Sequence, residues 1–462
     1  MHTHTDERGA MDLEDRAALR RVGGLATELE DVTEVEYRQL RLERVVLVGL
    51  WGERGVELHD AEVSLRELSA LAETAGSTVL DGMLQRRDRP DKATFVGSGK
   101  AEELAGVVAA LEADTVIVDA ELGPSQRRAL EDVVKVKVVD RTAVILDIFA
   151  QHAKSKEGKA QVELAQMEYL LPRLRGWGDS MSRQAGGRVA GGAGIGARGP
   201  GETKIELDRR RIRTRMAKLR RELAKMAPAR ATQRLGRVRA GVPRVAIVGY
   251  TNAGKSSLLN RLTEAGVLVD NTLFATLDPT VRRAETADGR AYTLADTVGF
   301  VRNLPHQLVE AFRSTLEEVG EADLVVHVVD AAHDDPEGQI LAVHAVLRDV
   351  PGALDIPELL VFNKVDITEV AVVDDLVARF PGALGVSAAT GEGLEILRSR
   401  IEEALPRPDV EVDLVIPYDR GDLVARVHER GEMLVEEYTE VGTRVKARVD
   451  PELAARLRAA GG

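Results

Sequence analysis

The chain has 462 residues, no cysteine and a formal net charge of −13. This length allows about three domains, and the lack of disulfides is typical of a protein in a reducing compartment. The first residues lack the apolar centre of a signal peptide, and no run approaches the ~18 apolar residues that span a bilayer. A cytoplasmic protein without a membrane span is therefore predicted.

Basic charge is concentrated in one segment. Residues 151–240 hold 22 Lys and Arg against 8 Asp and Glu, a net charge of +14, whereas the rest of the chain carries −27. This distribution favours one element that contacts a polyanion while the others stay away from it, the alternative being a solvated pair of charged helices. Only 3% of residues are aromatic, so Arg contacts to phosphate are favoured over base stacking.

Residues 1–39 are predicted to be a flexible extension because charges dominate and apolar residues are sparse. Residues 40–150 then alternate between strand and helix patterns, which predicts an N-terminal α/β domain. Its predicted strands lie at 45–50, 78–80, 93–96, 115–118 and 137–139, and its predicted helices at 61–75, 101–112 and 125–134.

Residues 151–242 are predicted to form an antiparallel helical hairpin. Two heptad seams indicate it, with apolar residues at Leu164, Met167, Leu171 and Leu174 and then at Ile205, Ile212, Met216, Leu219, Leu223 and Met226. Between the seams, 8 of the 16 residues from 186 to 201 are glycine. Such a loop is either a floppy connector or, being longer than the ~2 to 8 residues of a turn, a loop that enters a partner. Arg188 and Arg198 are its candidate RNA contacts.

A phosphate-binding loop follows the next predicted strand, 245–248, and precedes a helix. Glycines allow a backbone path that points N–H groups inward, the helix N-terminus favours the phosphate, Lys255 bridges β- and γ-oxygens, and Ser256 is a magnesium ligand. The loop consists of Gly249, Tyr250, Thr251, Asn252, Ala253, Gly254, Lys255 and Ser256.

A second element of the nucleotide site begins at Asp296, directly after a strand predicted at 291–295. Its carboxylate can hold magnesium through water and the Gly299 amide can contact the γ-phosphate, provided that this strand lies beside the first in one parallel sheet. The element comprises Asp296, Thr297, Val298 and Gly299. Between the two elements, Thr276 and Thr280 are rival candidates for a second hydroxyl ligand to magnesium.

Guanine selection is predicted from a third element that follows a strand at 359–362. Asp366 can accept hydrogen bonds from guanine N1 and the exocyclic amine, a donor pair that adenine lacks, and Lys364 can cover the base plane. The residues are Asn363, Lys364, Val365 and Asp366, with Ser387, Ala388 and Ala389 as a loop whose backbone amide can meet guanine O6. Residues 243–406 are thus predicted to be a P-loop GTPase domain, a parallel sheet with helices on both faces.

The hydrolytic residue cannot be assigned from the sequence. Phe300 occupies the position at which many regulatory GTPases place a water-orienting glutamine. Because a phenyl ring cannot orient water, slow basal turnover accelerated by a partner is predicted. Residues 409–462 complete the chain as a small C-terminal α/β domain.

The sequence resembles the HflX family of translation-associated GTPases over roughly residues 44–449. The resemblance is carried by residues 95–104 and 199–204, by Asn252 in the phosphate-binding loop, and by residues 274–280 and 296–300. The family has an apolar residue at the glutamine position, which fits Phe300. The resemblance also favours Thr276 over Thr280 as the magnesium ligand. It implies that one segment contacts the nucleotide: Phe274, Ala275, Thr276, Leu277 and Asp278.

The resemblance also implies a function: binding the large ribosomal subunit and its rRNA, and splitting stalled or idle ribosomes under stress with the glycine-rich loop near the peptidyl-transferase region. GTP and Mg²⁺ are the implied cofactors, and Asn252 makes activation by K⁺ a further hypothesis. Two alternatives remain, a ribosome-assembly GTPase and a nucleotide-gated RNA-binding scaffold. A monomer is predicted, since pairing of the heptads within the chain is favoured over dimerisation.

ATP binding by the first domain is a separate hypothesis, since some family members are described as binding ATP there. The segment 97–100 reads Gly-Ser-Gly-Lys, but Thr94 replaces the earlier glycine of a phosphate loop and Ala101 replaces the Ser or Thr that would ligate magnesium. A tight turn before a helix is therefore the favoured interpretation.

Overall fold

A computed structural model describes residues 44–52, 56–174, 200–239, 242–263, 273–274, 280–287, 289–302, 304, 313–406 and 410–460. Within this part of the chain, three β-sheets are each accompanied by helices, and a pair of long helices connects the first sheet to the second. The predicted multidomain α/β fold is confirmed. No helix among these residues is long and apolar enough to cross a membrane.

The first sheet has four parallel strands in the order β2-β1-β3-β4. Its elements are β1 (Arg44–Trp51), α1 (Leu58–Thr74), β2 (Thr78–Arg86), α2 (Ser98–Leu111), β3 (Thr115–Val118), α3 (Pro124–Val134), β4 (Lys137–Asp140) and α4 (Arg141–His152). The central strands β1 and β3 are apolar and buried on both faces, as parallel sheets covered by helices require. The order reverses between β1 and β3, so a crevice is expected at their carboxyl ends.

The strand predicted at 93–96 is wrong. Asp91 Oδ1 accepts hydrogen bonds from the amides of Ala93 and Thr94 at 2.8 and 3.0 Å, and Phe95 has φ +66°. A side-chain acceptor of this kind competes with sheet pairing and folds the backbone into a turn. Apolar composition alone does not reveal this competition.

Two helices, α5 (Lys156–Arg173) and α6 (Pro200–Arg239), pack on each other along the predicted seams. Met167, Ile212, Met216 and Leu219 are buried between them, and Leu164, Leu171, Leu174 and Leu223 pack against this cluster. Arg215 pairs with Glu163 at 2.6 Å, and Arg220 pairs with Glu168 at 2.8 Å. Arg188, Arg198 and most of the glycine-rich loop lie outside the described residues.

The second sheet has six strands in the order β10-β9-β8-β5-β7-β6. Its elements are β5 (Arg244–Gly249), α7 (Lys255–Thr263), β6 (Thr280–Glu285), β7 (Ala291–Asp296), α8 (Arg313–Gly320), β8 (Leu324–Asp330), α9 (Pro336–Leu347), β9 (Glu358–Asn363), α10 (Val370–Arg379), β10 (Leu384–Gly385) and α11 (Leu394–Ala404). Five strands are parallel, and only the edge strand β6 runs antiparallel. As predicted, β5 and β7 lie side by side.

The third sheet is antiparallel, in the order β11-β13-β12. Its elements are β11 (Val410–Ile416), α12 (Gly421–Arg430), β12 (Glu432–Thr439), β13 (Gly442–Val449) and α13 (Pro451–Ala460). Leu423, Val427, Leu453 and Leu457 of the two helices are buried in its core. This small C-terminal unit contacts the second sheet through an ion pair between Arg283 and Glu429 at 3.0 Å.

Candidate nucleotide-binding site

The phosphate-binding loop connects β5 to α7 at the carboxyl edge of the second sheet. Gly249, Asn252 and Gly254 have φ of +150°, +59° and +94°, so the loop repeatedly uses backbone conformations that favour glycine. Lys255 begins α7 and is buried, and its Nζ donates a hydrogen bond to the Tyr250 carbonyl at 2.8 Å. The lysine ammonium therefore lies over the loop, where phosphate oxygens would be bound.

The pKa of Lys255 gives this site a testable pH dependence. Burial lowers the pKa of its ammonium to about 8, although Asp296 opposes the shift. The charged form binds phosphate, so GDP affinity is expected to be constant below pH 8 and to fall by up to about tenfold per pH unit above it. Isothermal titration with GDP from pH 7 to 9 measures this slope.

A Lys255→Arg variant is the control for that measurement, because a guanidinium stays charged throughout this range. The GDP affinity of this variant is expected to be lower than that of the wild type at every pH. It should not show the additional loss of affinity above pH 8 that deprotonation of Lys255 causes. Ionisation of the guanine base affects both proteins equally. Identical slopes for the two proteins would contradict an important role for Lys255 titration.

The candidate magnesium ligands come together at the end of β7. Ser256 Oγ donates a hydrogen bond to Asp296 Oδ2 at 2.6 Å, and Asp296 is almost fully buried. Thr297 is fixed by a 2.8 Å hydrogen bond from its hydroxyl to the Ile247 carbonyl. A hydroxyl and a carboxylate beside a phosphate cradle fit Mg²⁺, which prefers oxygen ligands. Thr276, with Ala275, Leu277 and Asp278, lies outside the described residues.

Phe300 is buried and fixed to the phosphate-binding loop. Its carbonyl accepts a 2.8 Å hydrogen bond from the Thr251 amide, and its own amide donates to the Gly249 carbonyl at 3.2 Å. The neighbouring Gly299 approaches Thr251 so closely that an added Cβ would lie 2.6 Å from its Cγ2. The residue at the glutamine position is thus a packing group that joins two loops, and it offers no side-chain partner to water.

The predicted guanine-binding residues converge at the ends of β9 and β10. Asn363 links three segments, because its Nδ2 donates to the Ala253 carbonyl at 2.8 Å and its Oδ1 accepts from the Ala388 amide at 2.9 Å. Ser387 Oγ donates to Asp366 Oδ1 at 2.7 Å, which orients the carboxylate. Because the Ala388 amide is already bonded to Asn363, the amide of Ala389 is the better candidate for guanine O6.

Lys364 is the remaining side chain at this end of the site. Its backbone has φ +69°, and its Nζ pairs with Asp330 Oδ2 at 2.6 Å. An ion pair at the end of β8 therefore holds the lysine stem along the edge of the base pocket. Apart from Phe274, which is buried against Phe149, and residues 275–278, the residues predicted to contact the nucleotide lie at the carboxyl edge of the second sheet.

Comparisons with known proteins agree with this geometry. Residues 62–150 match the family model "GTP-binding GTPase N-terminal", residues 152–237 match "GTP-binding GTPase Middle Region" and residues 244–364 match "50S ribosome-binding GTPase". A protein named GTPase HflX from Caldanaerobacter subterraneus subsp. tengcongensis is 45% identical over 90% of this chain and 93% of its own length. The GTPase HflX of Escherichia coli is 43% identical, covering 84% and 88% respectively.

This chain belongs to the GTPase HflX family. The relationship confirms the resemblance that the motifs indicate, and together with the P-loop GTPase domain it makes the chain a GTP-binding and GTP-hydrolysing enzyme. A third relative, GTPase HflX of Lacrimispora saccharolytica, is 44% identical over 93% of this chain and 98% of its own length. The similarity therefore extends over nearly the whole chain, well beyond the GTPase motifs.

In this HflX-family protein the first sheet lies directly against the nucleotide site. The sequence patterns did not predict this arrangement. Tyr250 of the phosphate-binding loop donates a hydrogen bond from its hydroxyl to Glu67 Oε2 of α1 at 2.5 Å and accepts one from the Arg302 amide at 2.5 Å. Arg141 at the start of α4 pairs with both Glu67 and Asp119. Burial by itself lowers the pKa of the Arg141 guanidinium, but the charges of Glu67 and Asp119 outweigh it and raise the pKa above its ordinary value.

Two further contacts strengthen this junction. The rings of Phe149 and Phe274 have centroids 4.3 Å apart, and Arg66 pairs with Asp334 at 3.0 Å. Asp119 and Arg141 follow β3 and β4, so the GTPase loops occupy the carboxyl edge of the first sheet, where its strand order reverses. No local pattern could have identified Glu67, because it lies 183 residues from its partner Tyr250.

Glu67→Gln is expected to loosen this junction. The change leaves the buried Arg141 with Asp119 alone and replaces a charged acceptor for Tyr250 with a neutral one, which weakens the bond by about 1 kcal/mol or more. Hydrogen exchange at the Arg302 amide should become about fivefold or more faster. Hydrogen–deuterium exchange of the peptide containing Arg302 measures the effect.

Glu73→Gln on the same helix is the matched control, since Glu73 is exposed and the charge change is the same. It should leave the exchange of that peptide unchanged. Equal exchange in Glu67→Gln and wild-type protein would mean that the Glu67–Tyr250 contact does not hold the segment after Gly299.

The Gly-Ser-Gly-Lys segment at 97–100 forms the first turn of α2 and the residue before it. Gly97 has φ +85°, and a Cβ there would overlap the guanidinium of Arg87, which donates to the Val96 carbonyl at 3.2 Å. Lys100 pairs with Glu103 at 2.7 Å. An arginine at the helix start and a lysine already paired with a carboxylate favour the tight turn over a second phosphate cradle.

Proposed function

We propose that this HflX-family GTPase acts in the cytoplasm on the large ribosomal subunit, where its GTP-bound form splits stalled or idle ribosomes under stress and hydrolysis releases it. The names of its relatives and the match to a family described as "50S ribosome-binding GTPase" support the ribosome as its partner. The central supporting observation is the charge on helix α6.

One face of α6 is basic and the opposite face is apolar. Successive residues of a helix turn by about 100°, which places five basic residues within one face, opposite the buried seam of Ile212, Met216 and Leu219. These exposed residues have no acidic partner in the part of the chain that the structure describes: Arg210, Arg213, Lys218, Arg221 and Lys225. A row of unpaired cations on a rigid helix is suited to the phosphates of rRNA.

In the GTP cycle proposed for this chain, Ser256 and Thr276 would hold Mg²⁺ and Asp296 would bind it through water, and the ion would offset the charge of the phosphate oxygens. Turnover is slow for the isolated protein because Phe300 cannot orient water, and the ribosomal subunit accelerates it. K⁺ near Asn252 is the proposed activating ion, and equal turnover in sodium and potassium buffers would contradict that role. The chain acts as a monomer, with α5 and α6 paired within it.

Sedimentation of ribosomes tests the proposal. Intact ribosomes are mixed with the protein and GTP, with a non-hydrolysable GTP analogue, or with no nucleotide, and the subunits are separated on a sucrose gradient. Conversion of intact ribosomes to subunits with either triphosphate supports splitting. Binding restricted to immature subunits would instead indicate an assembly GTPase, and RNA binding without any nucleotide effect would indicate a scaffold.

A charge-matched pair of variants tests the role of the helix face. Lys218→Ala with Arg221→Ala should weaken binding to the large subunit about tenfold or more and reduce its salt dependence while leaving GTP affinity unchanged. Arg456→Ala with Arg458→Ala removes the same charge from α13 and should have little effect. Arg188→Ala with Arg198→Ala tests the loop in the same way. Unchanged subunit binding in both helix and loop variants would contradict the proposed basic arm.

A further inference from the structure

Three side chains with metal-binding atoms meet on one face of the GTPase sheet, away from the nucleotide site. His327 comes from the middle of β8, His344 from α9 and Glu358 from the start of β9. Glu358 Oε1 lies 2.6 Å from His327 Nδ1 and 3.0 Å from His344 Nε2. In the part of the chain that the structure describes, this is the one group of three His, Asp or Glu side chains whose ligand atoms lie within 4.8 Å of one another.

We propose that His327, His344 and Glu358 bind a zinc ion. Two imidazoles and one carboxylate are a common ligand set for Zn²⁺, with water as the fourth ligand. Bonds of 2.0–2.2 Å in a tetrahedral site place ligand atoms about 3.3 Å apart, so the three atoms need shifts of only about 1 Å to surround an ion. Mg²⁺ is a poor candidate, because it prefers oxygen ligands and imidazole does not suit it.

The arrangement combines a fixed ligand with an open side. His327 is fully buried on its strand, and no described residue gives its Nε2 a hydrogen-bond partner, whereas Nδ1 faces the cluster. The side chains of His344 and Glu358 are about one-third exposed, which gives an ion and its water ligand access from solvent. The two rings lie edge to face with centroids 5.5 Å apart, so both point into the same space.

The proposed ion would be structural. Glu358 begins β9 and Asn363 ends it, a separation of about 16 Å along an extended strand, so the ion could not contact the nucleotide. It would join α9, β8 and β9, the last two of which end at Asp330 and Asn363 beside the guanine pocket. Binding to the folded state alone would raise the melting temperature without taking part in hydrolysis.

Zinc retention by the purified chain of 462 residues tests the site. Purified chain is stripped with chelator, incubated with Zn²⁺ in the presence of excess Mg²⁺ to occupy the nucleotide site, and passed through a desalting column before metal analysis. The wild type should retain one more zinc ion per chain than His344→Ala or Glu358→Gln, and zinc should raise its melting temperature by several degrees more. His327 is fully buried, so its variants are left out because they could fail to fold for other reasons.

Two controls separate this site from other imidazoles. In the small C-terminal unit, His428 lies 2.9 Å from Glu436 and offers only two ligands to a metal ion. The His428→Ala variant should therefore retain as much zinc as the wild type. His2 and His4 are two residues apart in the sequence, so both are changed to Ala in every protein compared. Equal zinc content in this background with and without His344→Ala, or no zinc in any variant, would overturn the proposal.

Discussion

Asp366→Asn is expected to lower GTP affinity by about 100-fold or more and to increase affinity for xanthosine triphosphate. The carboxylate is predicted to accept two hydrogen bonds from guanine, each of about 1.5–3 kcal/mol, and about 1.4 kcal/mol changes affinity tenfold. An amide group presents an N–H donor to the guanine N1–H, whereas xanthine offers a carbonyl at the position of the guanine amine. Competition of unlabelled GTP and unlabelled xanthosine triphosphate against labelled GTP measures how the preference between the two nucleotides changes.

The surrounding hydrogen bonds make this a specific test. Ser387 Oγ donates to Asp366 Oδ1, and an asparagine Oδ1 can accept the same bond, so the loop should keep its geometry. Asp374→Asn on α10 removes the same charge from an exposed position and should leave both affinities unchanged. If Asp366→Asn lost GTP without gaining the xanthine nucleotide, Asp366 would be a structural residue of this loop.

Local sequence information was sufficient for most elements of the fold. The strand–loop–helix at Gly249 to Ser256 and the strand before Asp296 are each contained within about ten residues, and apolar strands followed by glycine leave few alternatives. The heptad seams likewise predicted the faces along which α5 and α6 pack on each other. The failure at 93–96 arose where one carboxylate, Asp91, captured backbone amides that a strand would have used.

Contacts between distant segments were beyond such an analysis. Glu67 contacts Tyr250 only because α1 packs at the edge of the first sheet that faces the phosphate-binding loop. Similarly, His327 and Glu358 are 31 residues apart on neighbouring strands, and strand order decides whether their side chains meet. Long-range ion pairs and clusters depend on topology, so charge and periodicity along the chain carry no signal for them.

The two glycine-lysine turns of this chain provide a direct comparison of the same substitution in different surroundings. Gly254→Ala is expected to weaken GDP binding by about 100-fold or more. Its φ of +94° is a conformation that alanine rarely adopts, and a Cβ there would overlap Asn363 Nδ2. Asn363 is buried and cannot easily move, because its amide bonds to the Ala253 carbonyl and the Ala388 amide at 2.8 and 2.9 Å.

The magnitude follows from these contacts. Backbone strain costs about 1–3 kcal/mol, and each displaced hydrogen bond about 1 kcal/mol. With two hydrogen bonds displaced, the sum of about 3–5 kcal/mol corresponds to about two to four powers of ten in affinity, provided that the loop relieves the strain by opening and losing its nucleotide-binding shape. Titration with GDP measures the loss, and the far-ultraviolet circular dichroism of the variant shows whether the domain remains folded.

Gly99→Ala is the positional counterpart, since Gly99 also precedes a lysine in a Gly-x-Gly-Lys-like turn. It lies in the first turn of α2 with nothing within 4 Å of an added Cβ and without a positive φ, so the substitution should stabilise the helix by about 0.5–1 kcal/mol. GDP affinity should be unchanged. A loss of GDP binding in Gly99→Ala, or normal binding in Gly254→Ala, would contradict the assignment of the phosphate cradle to Gly249–Ser256 alone. The two sites share a Gly-Lys pair but differ in backbone conformation and surroundings.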